Sequence, residues 1–184
     1  LLYMHFDRLY MINTDGTGLT EFAEAPAGEM FAEVCWNGAT DKIGVRTVGS
    51  YAYESKIYLM NSFGQITETI VEDLPGTTEG PVFSVNGRKI LYTHDVEEFE
   101  SPDGRQLDTH IFMKDLQTGE ITDLSENKPV GSNDLEPRFS STGAHVIFTN
   151  VENDGNSPKS IFYMTLDGDN RTLLFEDAEM PEWQ

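Results

Sequence analysis

The apolar positions of this chain fall into short runs that return four times in nearly the same order. Each run is a strand-like segment followed by a polar turn that ends in glycine: LYMINTDG at 9–16, IYLMNSFG at 57–64, IFMKDLQTG at 111–119 and IFYMTLDG at 161–168. Another short segment of strand-forming residues follows each glycine. Because glycine readily adopts the positive φ that a tight turn needs, each copy predicts a β-hairpin.

A second hairpin is predicted upstream of three of the four copies. FSVNGRKILYT and FSSTGAHVIFT carry Asn-Gly or Thr-Gly between two strand-like segments, and CWNGATDKIGV is a weaker version of the same pattern. In KILYT and HVIFT apolar residues occupy both faces, as in strands that are covered on both sides. Helical patterns are nearly absent. The chain is therefore predicted to be all-β, with four short strands in each repeat unit.

The spacing of the copies indicates how the units assemble. Counted from Leu9, Ile57, Ile111 and Ile161, they recur after 48, 54 and 50 residues, which is the range of propeller blades rather than of helical repeats. The chain starts within one unit and stops within another, and the two partial units complement each other. We therefore predict one antiparallel β-propeller domain over residues 1–184, with four-stranded blades and one blade shared by the two termini. The alternatives are a fragment of a larger propeller or multidomain protein, and a ring that two chains complete together.

Three short motifs share a proline followed two residues later by an aromatic residue: PVFS at Pro81–Ser84, PRFS at Pro137–Ser140 and PEW at Pro181–Trp183. These motifs resemble the blade repeat of the TolB-type, WD-repeat-like β-propellers. The common Ser-Pro-Asp-Gly turn of that family is replaced here by SVNG and SSTG, and Val34 stands in place of the proline in the first inner segment. The resemblance implies a propeller in the periplasm, at the cell surface or in a secreted protein.

The charge balance excludes some classes of partner. Acidic residues outnumber basic ones 32 to 12, and the formal net charge is −20. A field of this sign disfavours nucleic acid and favours cations, basic peptides or a basic protein surface. The single cysteine excludes an internal disulfide and a cysteine-based zinc cluster. No run of apolar residues is long enough for a membrane span.

Glutamates recur near the start of the innermost segment of each predicted blade. They are Glu33, Glu79, Glu136 and Glu179. If the blades surround a channel, these four carboxylates are expected to form an acidic axial mouth that binds a basic ligand or a cation. The alternative interpretation is that glutamate recurs there because the whole chain is rich in it.

Two histidines enclose the longest insertion of the repeat, HDVEEFESPDGRQLDTH. A hairpin that pairs Thr93 with Ile111 would place His94 opposite His110, with Asp95 and Asp108 beside them. Two imidazoles and two carboxylates are a possible set of ligands for a divalent cation. An ordinary solvated loop is the simpler interpretation.

These observations favour a noncatalytic propeller that binds a protein or another ligand through an acidic axial face, with no cofactor required. No G-x-S-x-G motif of a serine hydrolase is present. The alternative functions are a metal-dependent polysaccharide lyase or hydrolase propeller, and the accessory propeller of a serine peptidase.

Overall fold

The structure is a computed structural model that describes residues 1–51, 53–72, 76–97 and 107–182. Its fifteen strands form four antiparallel sheets, and no helix occurs among these residues. No described segment provides a helix long and apolar enough to cross a membrane. The predicted all-β propeller architecture is therefore confirmed.

The strands follow chain order within every sheet, so each sheet is a meander. The first sheet holds β1 (Leu2–His5), β2 (Arg8–Met11) and β3 (Thr20–Glu24). The second holds β4 (Met30–Asn37), β5 (Lys42–Val48), β6 (Ser55–Met60) and β7 (Ile66–Val71). The third holds β8 (Thr78–Phe83), β9 (Lys89–Asp95), β10 (Thr109–Asp115) and β11 (Ile121–Asp123). The fourth holds β12 (Ser132–Phe139), β13 (His145–Glu152), β14 (Ser160–Thr165) and β15 (Thr172–Glu176).

The hairpin glycines lie where the sequence pattern predicts turns. Gly64 and Gly168 have φ values of +76° and +84°, which L side chains rarely adopt. They also leave no room for a side chain, because a Cβ would lie 2.3 Å from the carbonyl oxygen of Phe22 and 2.6 Å from that of Leu124, respectively. Each of these turns thus packs against the backbone of the preceding sheet.

Apolar side chains between neighbouring sheets form the core. One cluster joins the first and second sheets around Leu9 and Val45, a second joins the second and third around Ile57 and Ile90, and a third joins the third and fourth around Phe148. No buried cluster of the described residues joins the fourth sheet to the first. The four sheets thus form an open arc.

Among the first strands of the last three sheets, β8 contacts both β4 and β12 along the inside of this arc. We call β4, β8 and β12 the inner strands. The first sheet has three strands and contains no inner strand within the described residues. The described residues do not close the first sheet with a strand from the C-terminal end, which is compatible with the predicted shared blade. Trp183, which carries part of that prediction, lies outside the described residues.

Candidate functional site

Three of the four predicted glutamates line one cleft on the inside of the arc. Glu33 on β4, Glu79 on β8 and Glu136 on β12 surround a cavity of about 490 Å³. They converge because every inner strand is kinked at this level: the pairing register shifts between Phe31 and Glu33, and the other two inner strands shift at the corresponding place. The sequence argument for an axial cluster of carboxylates thus corresponds to a real juxtaposition of three side chains.

Two of these glutamates also tie one inner segment to the next. The carboxylate of Glu33 accepts a hydrogen bond from the backbone N–H of Gly80, and that of Glu136 accepts one from the N–H of Met180 at 2.9 Å. Gly80, Glu136 and Met180 each directly precede the proline of a Pro-x-aromatic motif, and Glu33 precedes the equivalent Val34. Gly80, Glu136 and Met180 have positive φ values of +65°, +55° and +56°. Part of the recurrence of glutamate is therefore structural, because a carboxylate at this position satisfies a backbone donor in the next unit.

Arginines partly neutralise the cleft. Arg46 is only 8% exposed, and its terminal nitrogens lie 3.6 Å from a carboxylate oxygen of Glu33 and 3.8 Å from one of Glu79. Its Nε is buried and forms no hydrogen bond within the described part of the chain. Arg138 also lines the cleft and pairs with Glu182 at 3.3 Å. The cleft thus offers both carboxylate acceptors and guanidinium donors.

Cys35 contributes to the same cleft without offering a nucleophile. Burial is the main cause that raises the pKa of its thiol, to about 12. The thiol is therefore protonated at neutral pH, and thiolate chemistry is disfavoured.

Glu179 does not join the other three glutamates. It forms an ion pair with Lys159 and lines a separate cavity of about 250 Å³ beside Asp177 and Ala178. The residue lies after β15, where the chain leaves the fourth sheet, and the cleft is formed by the three preceding inner strands. The structure thus brings together three of the four predicted residues.

The two histidines of the insertion lie opposite each other, as the sequence predicts. His110 on β10 pairs with His94 on β9 in the antiparallel ladder. His94 is buried, and its Nδ1 lies 2.8 Å from Oγ1 of Thr78 on the inner strand. The corresponding pair in the fourth sheet is Asn150 and Asp134, which are joined by a hydrogen bond of 2.8 Å. His94 and Thr78 thus form a polar cross-strand pair that has a counterpart in the fourth sheet.

The carboxylates beside the histidines make other contacts. Asp95 is buried and accepts hydrogen bonds from the backbone N–H groups of Glu97, Leu107 and Asp108 at 2.9 to 3.1 Å. Asp108 forms an ion pair with Lys128. No group of three or more histidine, cysteine, aspartate or glutamate side chains placed to hold a metal ion occurs among the described residues. The hydrogen bonds of Asp95 join the two ends of the insertion, whose residues 98–106 lie outside the described part.

His110 is held between two carboxylates. Its Nδ1 lies 2.8 Å from Asp123, and its Nε2 lies 3.3 Å from Asp108. Burial by itself lowers the pKa of His110, but the hydrogen bond to Asp123 and the negative charges of Asp123 and Asp108 raise it overall, against the opposing charge of Lys128. The arrangement favours an imidazolium that bridges β10 to the segment around Asp123.

Sequence reasoning missed a buried ion pair in the fourth sheet. Asp134 is fully buried and receives two hydrogen bonds of 2.8 Å from Arg171. Ser125, which follows the third sheet, donates to the same carboxylate at 2.7 Å. The Cζ atom of Arg171 also lies 4.7 Å from the ring centroid of Phe148. Because Asp134 and Arg171 are 37 positions apart, no local pattern in the sequence signals this contact.

Comparison with known proteins supports the fold. No protein-family model and no curated protein matches the chain. The structure of a nidogen/laminin complex aligns with 96% of this chain and 61% of its own chain, with a TM-score of 0.66 and 18% identity. An oligogalacturonate lyase in complex with manganese aligns with 95% of this chain and 50% of its own, with a TM-score of 0.68 and 10% identity. A protein described as TolB from Agrobacterium tumefaciens aligns with 95% of this chain and 76% of its own, with a TM-score of 0.46 and 16% identity.

The similarities to the first two structures, with TM-scores of 0.66 and 0.68, show a shared β-propeller fold and nothing finer. The chain spans between half and about three fifths of the first two structures, so it corresponds to part of their length. The resemblance to propeller repeats is thus confirmed at the level of the fold.

Proposed function

We propose that this chain is a noncatalytic propeller scaffold that binds a basic segment of a protein partner in the cleft between the inner strands. The observation that carries the proposal is the convergence of Glu33, Glu79 and Glu136, from three different sheets, on one cavity of about 490 Å³. A lysine or arginine side chain that enters this cavity meets carboxylates from several directions.

Charge and exposure support a cationic ligand. The side chains of Glu33 and Glu79 are 37% and 41% exposed, so both remain accessible to a ligand from solvent. The net charge of −20 adds a long-range attraction that speeds the encounter with basic partners and weakens as salt is added. Arg46 and Arg138 supply donors that can hold backbone carbonyl groups of an extended peptide.

The proposal is tested with a fluorescently labelled oligolysine peptide and two glutamate variants. Glu79→Gln removes a charge from the cleft, and Glu179→Gln removes the same charge outside it. We choose Glu79 because the backbone hydrogen bonds to the next inner segment belong to Glu33 and Glu136. Fluorescence anisotropy is expected to show several-fold weaker binding for Glu79→Gln and nearly unchanged binding for Glu179→Gln.

Equal weakening in both variants would indicate a diffuse response to net charge and would overturn the assignment to the cleft. Absence of binding by the unaltered chain at low salt would overturn the proposed ligand. Binding by the unaltered chain should weaken steeply as NaCl is raised from about 0.05 M to about 0.5 M, since exposed charges are screened over that range.

We further propose that the chain is a TolB-type propeller and that it lies in the periplasm or at the cell surface. The occurrence of a propeller of the same fold in a nidogen/laminin complex is consistent with a protein partner. A role as the accessory propeller of a serine peptidase would use the same cleft to admit basic segments.

A divalent cation between His94 and His110 stays a separate hypothesis, and it would favour the lyase alternative. The side chains of His94, His110 and Asp95 already form hydrogen bonds with Thr78, Asp123 and a backbone N–H group, respectively. We therefore expect no stoichiometric metal after equilibration with Mn²⁺ or Zn²⁺. The measurement is elemental analysis of the unaltered chain and of His94→Ala and His110→Ala. One bound ion per chain that both substitutions abolish would contradict our assignment.

A further inference from the structure

We propose that a cavity between the turns of the third and fourth sheets binds the phosphate or carboxylate group of a small anion. The cavity measures about 480 Å³ and is lined by Arg88, Lys89 and Asp115 from the third sheet and by Ser141 and Thr142 from the fourth. It lies where β8 ends, whereas the acidic cleft includes residues at the start of that strand. The two sites therefore differ in position and in the charge of their ligands.

The first observation is that the two basic side chains of this cavity have no acidic partner. Arg88 is the only arginine of the described residues that forms no ion pair, and Lys89 forms none with them either. In a chain with 32 acidic residues against 12 basic ones, two adjacent cations without a carboxylate partner stand apart from the rest of the surface. An anionic ligand would supply the missing partner.

The second observation is the unused hydrogen-bonding capacity of the same two side chains. Lys89 is partly buried, and its ammonium contacts Sδ of Met113 at 3.7 Å. A thioether sulfur is a weak acceptor, whereas an ammonium group has three N–H donors. Arg88 donates from one terminal nitrogen to the side chain of Gln117, and a guanidinium carries five N–H groups. Both side chains therefore retain donors for the oxygen atoms of a ligand.

Asp115, the one carboxylate that lines this cavity, does not neutralise both cations. Its Oδ1 accepts hydrogen bonds from the backbone N–H groups of Gln117 and Thr118 at 2.8 Å and 3.0 Å. These hydrogen bonds are the main cause that lowers the pKa of Asp115, and the positive charges of Arg88 and Lys89 lower it further. Two positive charges face one negative charge, so the cavity keeps an excess of positive charge.

The turn between β8 and β9 holds the backbone of Arg88 in place. Oδ1 of Asn86 accepts hydrogen bonds from the hydroxyl of Ser84 at 2.9 Å and from the backbone N–H of Arg88 at 3.0 Å. Gly87 in the same turn has a φ of +65°, and a Cβ there would lie 2.5 Å from Oγ1 of Thr40. Because the turn is packed and hydrogen-bonded in this way, little further ordering of the backbone is required when a ligand binds.

Size and net charge limit the ligand to a small anion. The net charge of −20 repels a partner that carries many negative charges, and this repulsion is least for an ion with one or two charges. The volume of the cavity lies within the range of small-molecule sites. Ser141 and Thr142 add hydroxyl groups that can donate to further oxygen atoms of the ligand.

Titrations of the isotopically labelled chain with inorganic phosphate and with succinate, followed by ¹H–¹⁵N NMR at constant ionic strength, test the proposal. We expect saturable shifts of the amide signals of residues 84–89 and 141–143 with at least one of the two probes. The probe that binds more tightly identifies whether the cavity prefers a phosphate or a carboxylate group.

Two variants remove the cations, and a third is the matched control. Lys89→Met and Arg88→Gln are each expected to weaken binding by about tenfold or more, because each removes a charge-assisted hydrogen bond. Lys42→Met should leave the affinity nearly unchanged. Lys42 begins β5 as Lys89 begins β9, and it forms no ion pair with the described residues, but it does not line the cavity.

The NMR spectrum of each variant verifies that it is folded, and Arg88→Gln alters only an exposed side chain. Equal weakening by Lys42→Met would indicate a response to net charge and would overturn the assignment to this cavity. Absence of saturable shifts with both probes, or shifts confined to residues outside the two turns, would overturn it as well. Failure of the oligolysine peptide to bind the acidic cleft would leave this proposal unaffected, since the two titrations report on different residues.

Discussion

Replacing Arg171 by alanine tests whether the buried ion pair with Asp134 stabilises the fourth sheet. The substitution removes both 2.8 Å hydrogen bonds from Arg171 and leaves the carboxylate of Asp134 fully buried. Ser125 and Asn150 still donate to that carboxylate, but both are neutral. The variant thus contains a buried negative charge without a positive partner, which is one of the most unfavourable changes in a folded protein.

The magnitude follows from burial. Removing one partner of a buried ion pair lowers the free energy of unfolding by about 3–5 kcal/mol. Loss of the cation–π contact with Phe148 is a further reason to expect the upper half of that range. Arg138→Ala is the control, because the side chains of Arg138 and its partner Glu182 are 36% and 72% exposed. Such an exposed pair contributes less than about 1 kcal/mol.

Urea unfolding followed by circular dichroism compares the two variants with the unaltered chain. The double variant Asp134→Ala/Arg171→Ala should lose less stability than the sum of the single losses, because it removes the unpaired charge as well. If Arg171→Ala were no more destabilising than Arg138→Ala, or if the two single changes were additive, the reasoning about a buried charge would be wrong.

Two further predictions concern pH and a turn. The pKa of His110 is raised on folding, chiefly by Asp123 against the opposing effect of burial, so its contribution to stability is complete below the unfolded value of about 6.5 and is lost as pH rises through the folded pKa. The difference in urea midpoint between the unaltered chain and His110→Gln should accordingly shrink as pH is raised from about 6 to about 8.5, and a constant difference would contradict this. Gly168→Ala should lower the thermal midpoint more than Gly119→Ala, because both glycines have positive φ but only the former would place a Cβ 2.6 Å from the carbonyl oxygen of Leu124. Equal shifts in thermal melting would show that packing against Leu124 has no effect.

The hairpins could be predicted because their determinants are local. Glycine turns and alternating apolar residues act over short segments, so the strands could be predicted from neighbouring residues. The pairing of His94 with His110 followed from the strand patterns on either side of the insertion. The role of His94 could not be predicted in the same way. Its contact with Thr78 depends on the register of β8 against β9, which includes a shift between Glu79 and Val82.

The candidate cleft was predicted only in part. Recurrence of glutamate in the repeat indicated that carboxylates would approach the same axial region, and three of them do. Arg46 lies opposite Glu33 in the ladder of β4 and β5, within one sheet. Its approach to Glu79 was not predictable from the sequence, because that contact depends on how the second and third sheets pack against each other.

By itself the sequence determined the all-β class, the four repeat units and the hairpin turns, because those features arise from backbone preferences and side-chain alternation among neighbouring residues. The tertiary structure decided that no buried cluster of the described residues joins the fourth sheet to the first, and that Glu179 lies apart from the cleft. It also decided that the carboxylates of Glu33 and Glu136 accept hydrogen bonds from backbone N–H groups 47 and 44 residues further along the chain. These features depend on the relative positions of whole sheets. Those positions are set by the packing of side chains from separate repeats, which no short segment encodes.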